Sequence, residues 1–334
     1  MMIRGFIMFD RIAFCYWPTT VFVIDDDEDF LKLLKDSLDS KGALCRTFSD
    51  AEDCLEELKQ AKQPKKIIND YLTSDNAKIS EEDNLLLPID LSNVYSLSYR
   101  KDRFSDVATI IVDYRMHPTG PEFIKQLKDL DINLKIIILT AYDDKEKGLA
   151  LFNDKQIDGF IVKGGIESSE KLEASLKSLS LSYFHEASMP FINLLDQKDH
   201  CFKNKKFVEF FGSVIDEQNI VEFYAIDNEG SFLLINKKGE LRFLLVKSDL
   251  YFDDYCAIAE DQDAPSALVD QLKNKEKIPF FLGNSVQATI HDWNQYLHDA
   301  KPIEGVDQYY YSLVSNLSGY EIDSVFSLQD YRKK

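Results

Sequence analysis

Four short apolar runs each end on a polar group. Val21–Ile24 runs into Asp25 and Asp26, Ala108–Val112 into Asp113, Ile136–Leu139 into Thr140, and Phe160–Val162 into Lys163. Continuous apolar runs of this length, separated by helical patterns, predict strands of a parallel sheet buried on both faces. In such sheets ligands bind beyond the carboxyl ends of the strands, where the strand order reverses. The pattern therefore predicts that the four polar endings share one pocket. Three carboxylates, a hydroxyl and an ammonium suit a divalent cation and a phosphoryl group.

The intervening patterns fit this sheet. Phe30, Leu33, Leu34 and Leu38 recur at helical spacing until Gly42, and Ala43–Phe48 reads as a second strand. Ser49 and Asp50 form a helix start for Leu55 and Leu58. Connections in such folds run to about 2–6 residues, yet the third strand waits until about Val107. Residues 61–106 thus read as an insertion, a partly ordered excursion on the domain's edge, with a helical turn at PKKIINDYL. Helices are expected over Glu122–Leu130, Lys145–Phe152 and Glu170 to about His185. The last runs into a boundary at Ser188–Pro190.

The second half changes character. Glu222–Ile226, Ser231–Ile235 and Leu241–Val246 read as strands joined by short Asn-, Asp- and Gly-containing connections, hence an antiparallel meander. A further strand is expected over Tyr255–Ile258. Helices are expected around Lys206–Phe211, Pro265–Leu272 and Gln287–Leu297, and Tyr309–Tyr311 reads as exposed. The fold class expected is α/β for the first domain, a doubly wound five-stranded parallel sheet, followed by an α+β domain with an antiparallel sheet.

Composition narrows the function. The 334 residues include 45% hydrophobic and 12% aromatic side chains, enough for two packed cores, and the formal net charge is -19. Residues 1–185 carry 24 basic and 33 acidic groups, and residues 186–334 carry 15 and 25. Neither half is the basic body expected of a nucleic-acid binder. Five scattered cysteines without a CxxC pair read as reduced thiols. Arg4, Asp10 and Arg11 interrupt the apolar N-terminus, so neither a signal peptide nor a membrane span is expected there. That segment is read either as an arm on the domain or as preceding an alternative start at Met8. A cytoplasmic location is expected.

The ordered set VFVIDDDEDF, TIIVDYRM, IIILTAY and GFIVK resembles the receiver domain of bacterial two-component response regulators. The resemblance covers about residues 20–185 without the insertion and implies the CheY-like strand order 2-1-3-4-5. It implies that Asp113 is the phosphoacceptor, and that Asp25, Asp26 and Asp113 hold magnesium with the backbone carbonyl of Arg115. Thr140 and Lys163 are implied to contact the phosphoryl oxygens. Phe160 occupies the place of the family's aromatic switch residue, without the hydroxyl of a tyrosine. Physical chemistry agrees on the site: crowded carboxylates repel, a hard oxygen-seeking cation relieves them, and phosphoryl transfer needs positioning plus positive charge.

The sequence departs from the family in two loops. MHPTGPE is one residue shorter than usual, with His117 in place of proline, and Lys163 precedes Gly164–Gly165 instead of proline. Among the histidines, His200 adjoins Cys201, and His291 and His298 share a predicted helix face. None of them has a converging third ligand.

The expected organisation is an N-terminal extension over 1–19, a receiver over 20–187 with the insertion at about 61–106, and an output domain over 188–334. The implied partner is a sensor histidine kinase or phosphotransfer protein. The fourth and fifth receiver helices are a possible homodimer surface. Membrane and nucleic acid are not indicated. Apart from its own phosphoryl transfer the receiver is not expected to be an enzyme. For the output, protein interaction or dimerisation leads, with a DNA-binding output of unfamiliar fold and an enzyme or nucleotide-binding module as alternatives. Length and output together resemble the quorum-sensing response regulators of Legionella-type systems.

Overall fold

Which face of a strand each side chain meets is set by the two-residue alternation of extended backbone, and here both faces are apolar. The computed structural model describes residues 11–74, 90–141, 144–164, 166–193, 195, 200–281, 293–318 and 325–333. These form two compact units. One gathers Trp17–Asp70 and Asp102–Ala187; the other gathers the described parts of Met2–Tyr16, Tyr71–Lys101 and Ser188–Lys334.

The described chain opens with a two-residue strand, β1 (Cys15–Tyr16), that belongs to the second unit, and then enters the first. There β2 (Thr20–Ile24), α1 (Glu28–Ser40), β3 (Leu44–Phe48) and α2 (Ala51–Gln60) follow one another. Next come α3 (Pro64–Ser74), β4 (Val107–Asp113), α4 (Gly120–Asp129), β5 (Lys135–Thr140), α5 (Lys145–Asn153), β6 (Gly159–Val162) and α6 (Ile166–Ile192). The sheet is parallel with order β3-β2-β4-β5-β6, the doubly wound arrangement 2-1-3-4-5.

Phe22, Ile24, Ile110, Val112, Ile136 and Ile138 face one core, which α2 and α4 close with Leu58, Phe123 and Leu127. Their alternates Val21, Val23, Ile111, Ile137 and Leu139 face the other, closed by Leu31 and Leu38 of α1 and by Leu172 and Leu176 of α6. Local signals set the helix ends. Asp27 caps α1 by accepting the Phe30 N–H, and Asp50 caps α2 by accepting those of Glu52 and Asp53. Thr119 and Glu122 form a reciprocal capping box on α4.

In the second unit α7 (Lys205–Glu217) precedes the strands β7 (Ile220–Ala225), β8 (Phe232–Asn236) and β9 (Leu241–Ser248). After α8 (Asp249–Asp261) and α9 (Ser266–Lys273) come β10 (Lys277–Pro279), β11 (Leu297–Asp299), β12 (Lys301–Pro302), β13 (Tyr309–Val314) and α10 (Leu328–Tyr331). A six-stranded antiparallel sheet has the order β1-β7-β8-β9-β13-β12, and β10 pairs with β11 apart from it. Phe202, Phe211, Phe223 and Phe232 pack ring against ring at its centre. At the β7–β8 turn, Asp227 accepts three successive backbone N–H bonds and pairs with Lys247 at 2.5 Å.

Several expectations are corrected. Tyr255–Ile258 is not a strand but part of α8, whose buried face is Phe252, Tyr255, Cys256 and Ala259 at three- and four-residue steps. Tyr309–Tyr311 is not an exposed run; it opens β13, with Tyr309 buried and each residue paired to β9. Of the helix expected over 287–297, the described part is a 3₁₀ turn at Trp293–Tyr296 followed by β11; residues 287–292, His291 among them, lie outside the described residues. The helix expected to end at about His185 continues to Ile192 with Pro190 inside it, which forgoes only one backbone bond in the last turn.

Of the two segments read as decorations of the first domain, parts belong to the second unit. Cys15 and Tyr16 pair with Tyr224 and Phe223 of β7, so the end of the N-terminal extension is a strand of the second sheet. Of the insertion, α3 straddles the division between the units. Its later 3₁₀ turn, Val94–Tyr99, packs on β7, with Leu91 N–H donating to Asn228 Oδ1 at 2.8 Å.

Candidate functional site

The carboxyl end of the parallel sheet carries the polar endings of β2, β4, β5 and β6. Asp25 follows β2 directly, Asp113 is the last residue of β4, Thr140 the last of β5, and Lys163 follows β6. β2 and β4 are neighbours, with Ile24 opposite Val112, so the acids that follow them emerge side by side.

Asp25, Asp26 and Asp113 each offer a carboxylate oxygen, all within 4.8 Å of one another. Asp25 and Asp113 are buried, at 1% and 4% exposure, while Asp26 is exposed. The Lys163 ammonium bridges the two buried acids, 2.6 Å from Asp25 Oδ2 and 2.7 Å from Asp113 Oδ1. It also lies 4.4 Å from the centre of the Phe30 ring, a cation–π contact. Backbone donors complete the arrangement: Asp27 N–H reaches Asp25 Oδ1 at 3.1 Å, and Arg115 N–H reaches Asp113 Oδ2 at 2.7 Å. The amino end of α1 begins just past Asp25, where its dipole favours negative charge.

The electrostatics follow from these contacts. Burial pushes the Asp25 carboxyl above the ordinary range, against the pull of Lys163 and the Asp27 amide. Burial alone would lower the Lys163 ammonium, but its bonds to Asp113 and Asp25 outweigh that and hold it above the usual lysine value.

Thr140 stands at the same sheet end, fully buried, with its hydroxyl donating to the carbonyl of Ala141 at 3.1 Å. Among the described residues no hydrogen bond joins it to the acid cluster. Phe160, on β6, packs against Gly148 and Phe152 of α5, away from the carboxylates. The sheet end thus unites Asp25, Asp26, Asp113 and Lys163, and leaves Thr140 beside them and Phe160 on an adjoining surface. In the shortened loop the His117–Pro118 peptide is cis and Met116 is buried.

Three carboxylates at this spacing are the hard, all-oxygen ligands that magnesium takes, and one of them is open to water, which magnesium retains in part. The residues fit the ion.

Three contributors were not legible in the sequence. Phe30 looks like any helix residue in the run that starts α1. Asp144, buried, accepts bonds from Arg115 Nε and from Lys147 Nζ, and the Arg115 contact foremost holds its carboxyl below the usual range. Gly120 lies so close to Asp113 that a Cβ built on it would stand 2.5 Å from the Asp113 carbonyl oxygen. Only the glycine of GPE hinted at this.

No family model and no curated relative matches the sequence. Among solved structures, the Legionella pneumophila response regulator LqsR matches with 29% identity and a TM-score of 0.76, over 97% of this chain and 96% of that one. The response regulator TrrA of Thermotoga maritima, solved in complex with Mg(2+)-BeF, matches at 19% identity and a TM-score of 0.31, over 48% of this chain and 98% of its own. An adenylate cyclase from Rhodopirellula baltica matches at 16% identity over 54% of this chain and 99% of its own, with a TM-score of 0.35. The last two likenesses are too slight to carry an argument. The first spans both units.

Proposed function

The chain is a response regulator with a CheY-like receiver and an α+β output domain, and on that footing we propose that it accepts a phosphoryl group on Asp113 from a histidine kinase or phosphotransfer protein. The observation that carries this reading is the Lys163 ammonium set between Asp25 and Asp113 inside a three-carboxylate cluster.

Each group has a task in the transfer. A carboxylate oxygen of Asp113 attacks phosphorus as the phosphorus–nitrogen bond of phosphohistidine breaks, and the departing imidazole keeps the electron pair and takes up a proton. Lys163 is drawn from Asp25 toward the new phosphoryl oxygens. Arg115 N–H, already on Asp113, fixes that carboxylate's orientation. Thr140 exchanges its bond to Ala141 for one to the phosphoryl group. Asp25, Asp26, Asp113 and the backbone carbonyl of Arg115 would hold magnesium, which supplies positive charge to the phosphoryl oxygens.

The acyl phosphate then biases the surface of the fourth and fifth receiver helices, here α5 and α6, toward a second arrangement. Leu149 and Phe152 stand exposed on α5 and Phe160 packs behind them, which supports this surface as a homodimer contact. The output acts through protein interaction or dimerisation in the cytoplasm. The full-length likeness to the Legionella regulator supports placing the chain in a quorum-sensing circuit.

The test is incorporation of label from a small phosphodonor such as acetyl phosphate, with magnesium and with chelator. Wild type is expected to be labelled only with magnesium, and Asp113→Asn not at all. Equal labelling of both proteins would remove the assignment.

A further inference from the structure

The output unit has a basic cleft that phosphoryl transfer at Asp113 does not use. It measures about 880 Å³ and lies between the end of α7, the β8–β9 hairpin and the C-terminal turn. Lys237, Lys238, Arg242, Arg332 and Lys333 line it, against the carboxylates of Glu217 and Glu240, with Lys333 also paired to Asp330 at 3.1 Å. This excess of cations stands in a chain whose formal charge is -19. Fields of exposed charges fade over about 8 Å at physiological salt, so cations around one cleft act together while distant acids are screened.

The cleft is built and not a chance meeting of surface lysines. Gly239, at φ +83°, turns the hairpin tip so closely onto the C-terminal segment that a Cβ there would stand 2.9 Å from the Val325 carbonyl oxygen. Gln329 N–H donates to the Lys237 carbonyl at 3.2 Å and ties the two walls together. Asn236 Oδ1 accepts from the N–H groups of Lys238 and Glu240, which fixes the turn carrying the cations. Its Nδ2 donates to Glu240 at 2.6 Å, so that carboxylate is already engaged. Lys237 and Lys238 are exposed and, among the described residues, neither is in an ion pair.

We propose that this cleft binds a ligand carrying two or more linked phosphates. Its volume falls within the range of about 300–1,000 Å³ typical of small-molecule sites. Cations on two facing walls, the hairpin and the C-terminal turn, match a chain of phosphates better than a single anion. The polar residues Gln218, Asn219 and Gln329 supply further donors. The lining includes no aromatic side chain, so stacking on a base contributes nothing and the phosphates are what is read. A nucleoside polyphosphate and free inorganic polyphosphate share that chemistry. The site is independent of the phosphoacceptor.

The test is calorimetric titration of the full chain with tripolyphosphate, without magnesium, at near-physiological salt. Saturable binding that weakens steeply as salt rises is expected. Loss of charge-assisted bonds in the double variant Lys237→Glu/Lys238→Glu should weaken it at least about tenfold, with the unfolding midpoint and Asp113 labelling unchanged. Lys333→Glu should weaken it in the same direction, and Asp113→Asn should leave it untouched. ATP bound no more tightly than tripolyphosphate identifies the free phosphate chain as the source; ATP bound much more tightly identifies a nucleotide. Three results overturn the proposal: no saturable binding up to about 1 mM, binding lost in Asp113→Asn but kept in the lysine variant, or binding through these lysines of duplex DNA alone.

Discussion

A methyl group placed on Gly120 would press on the backbone carbonyl of Asp113, 2.5 Å away. The neighbour is main chain and cannot rotate aside. Gly120 N–H also donates to the Tyr114 carbonyl at 3.1 Å, so α4 begins against the strand end that bears Asp113, the proposed phosphoacceptor. Gly120→Ala is expected to shift that strand end, slow labelling of Asp113 and destabilise the fold by about 1–3 kcal/mol. Denaturant unfolding and phosphodonor kinetics measure the two effects. A variant that labels at the wild-type rate would show that the close approach has no bearing on the site.

Lys163 is the counter-charge for two buried acids. Removing it in Lys163→Ala leaves Asp25 and Asp113 facing each other without compensation, which raises the energy of the metal-free fold. Binding of an ion to the folded state adds stability in proportion to its affinity. Magnesium is therefore expected to raise the unfolding midpoint of Lys163→Ala more than that of the wild type. Thermal unfolding with magnesium and with chelator decides it; equal shifts would count against the bridging role.

Protonation of buried histidines sets an acid limit. Burial foremost lowers the proton affinity of His200, whose Nδ1 already accepts the Phe202 N–H and whose Nε2 faces the Asn228 carbonyl at 2.5 Å. Burial, then the charge of Lys277, lowers that of His298. The unfolded chain therefore binds these protons at higher pH than the folded one. Stability should begin to fall as pH drops through about 6.5, the ordinary histidine value, and the loss should be complete below the depressed folded values. His200→Gln is expected to flatten this slope in unfolding measured between neutral and acid pH. An unchanged slope would exonerate this ring.

The fragment 188–334 is expected not to fold as the output unit does in the full chain. It lacks β1 and the Val94–Tyr99 turn, both of which pack on β7, whose six residues are all buried. Their removal exposes a long apolar edge strand, a site for aggregation. Circular dichroism and sedimentation of the fragment check this; a monomer with a cooperative transition would contradict it.

How far the sequence could be read depended on how local each signal was. The parallel sheet was legible because every strand buried on both faces leaves a continuous apolar run, as in Ile110–Val112, and because each run ends on a residue with chemistry. The acid cluster followed from those endings. β1 was not legible: two residues carry no periodicity, and their partner comes more than two hundred positions later. α8 was misread because Tyr255, Cys256 and Ile258 favour strands locally, whereas the face that packs is seen only over the whole helix. Phe30, Asp144 and Gly120 act through distances, which no residue type announces.

The chain passes between its two units after Tyr16, after Asp70, after Lys101 and after Ala187. Regulators whose halves meet at one junction can diversify by exchanging cassettes in a single recombination event. Here a crossover at residue 187 would graft a foreign effector onto a parent that still carries an orphaned strand and turn, and would strip the departing half of both. The two halves of this chain are therefore transferable only together.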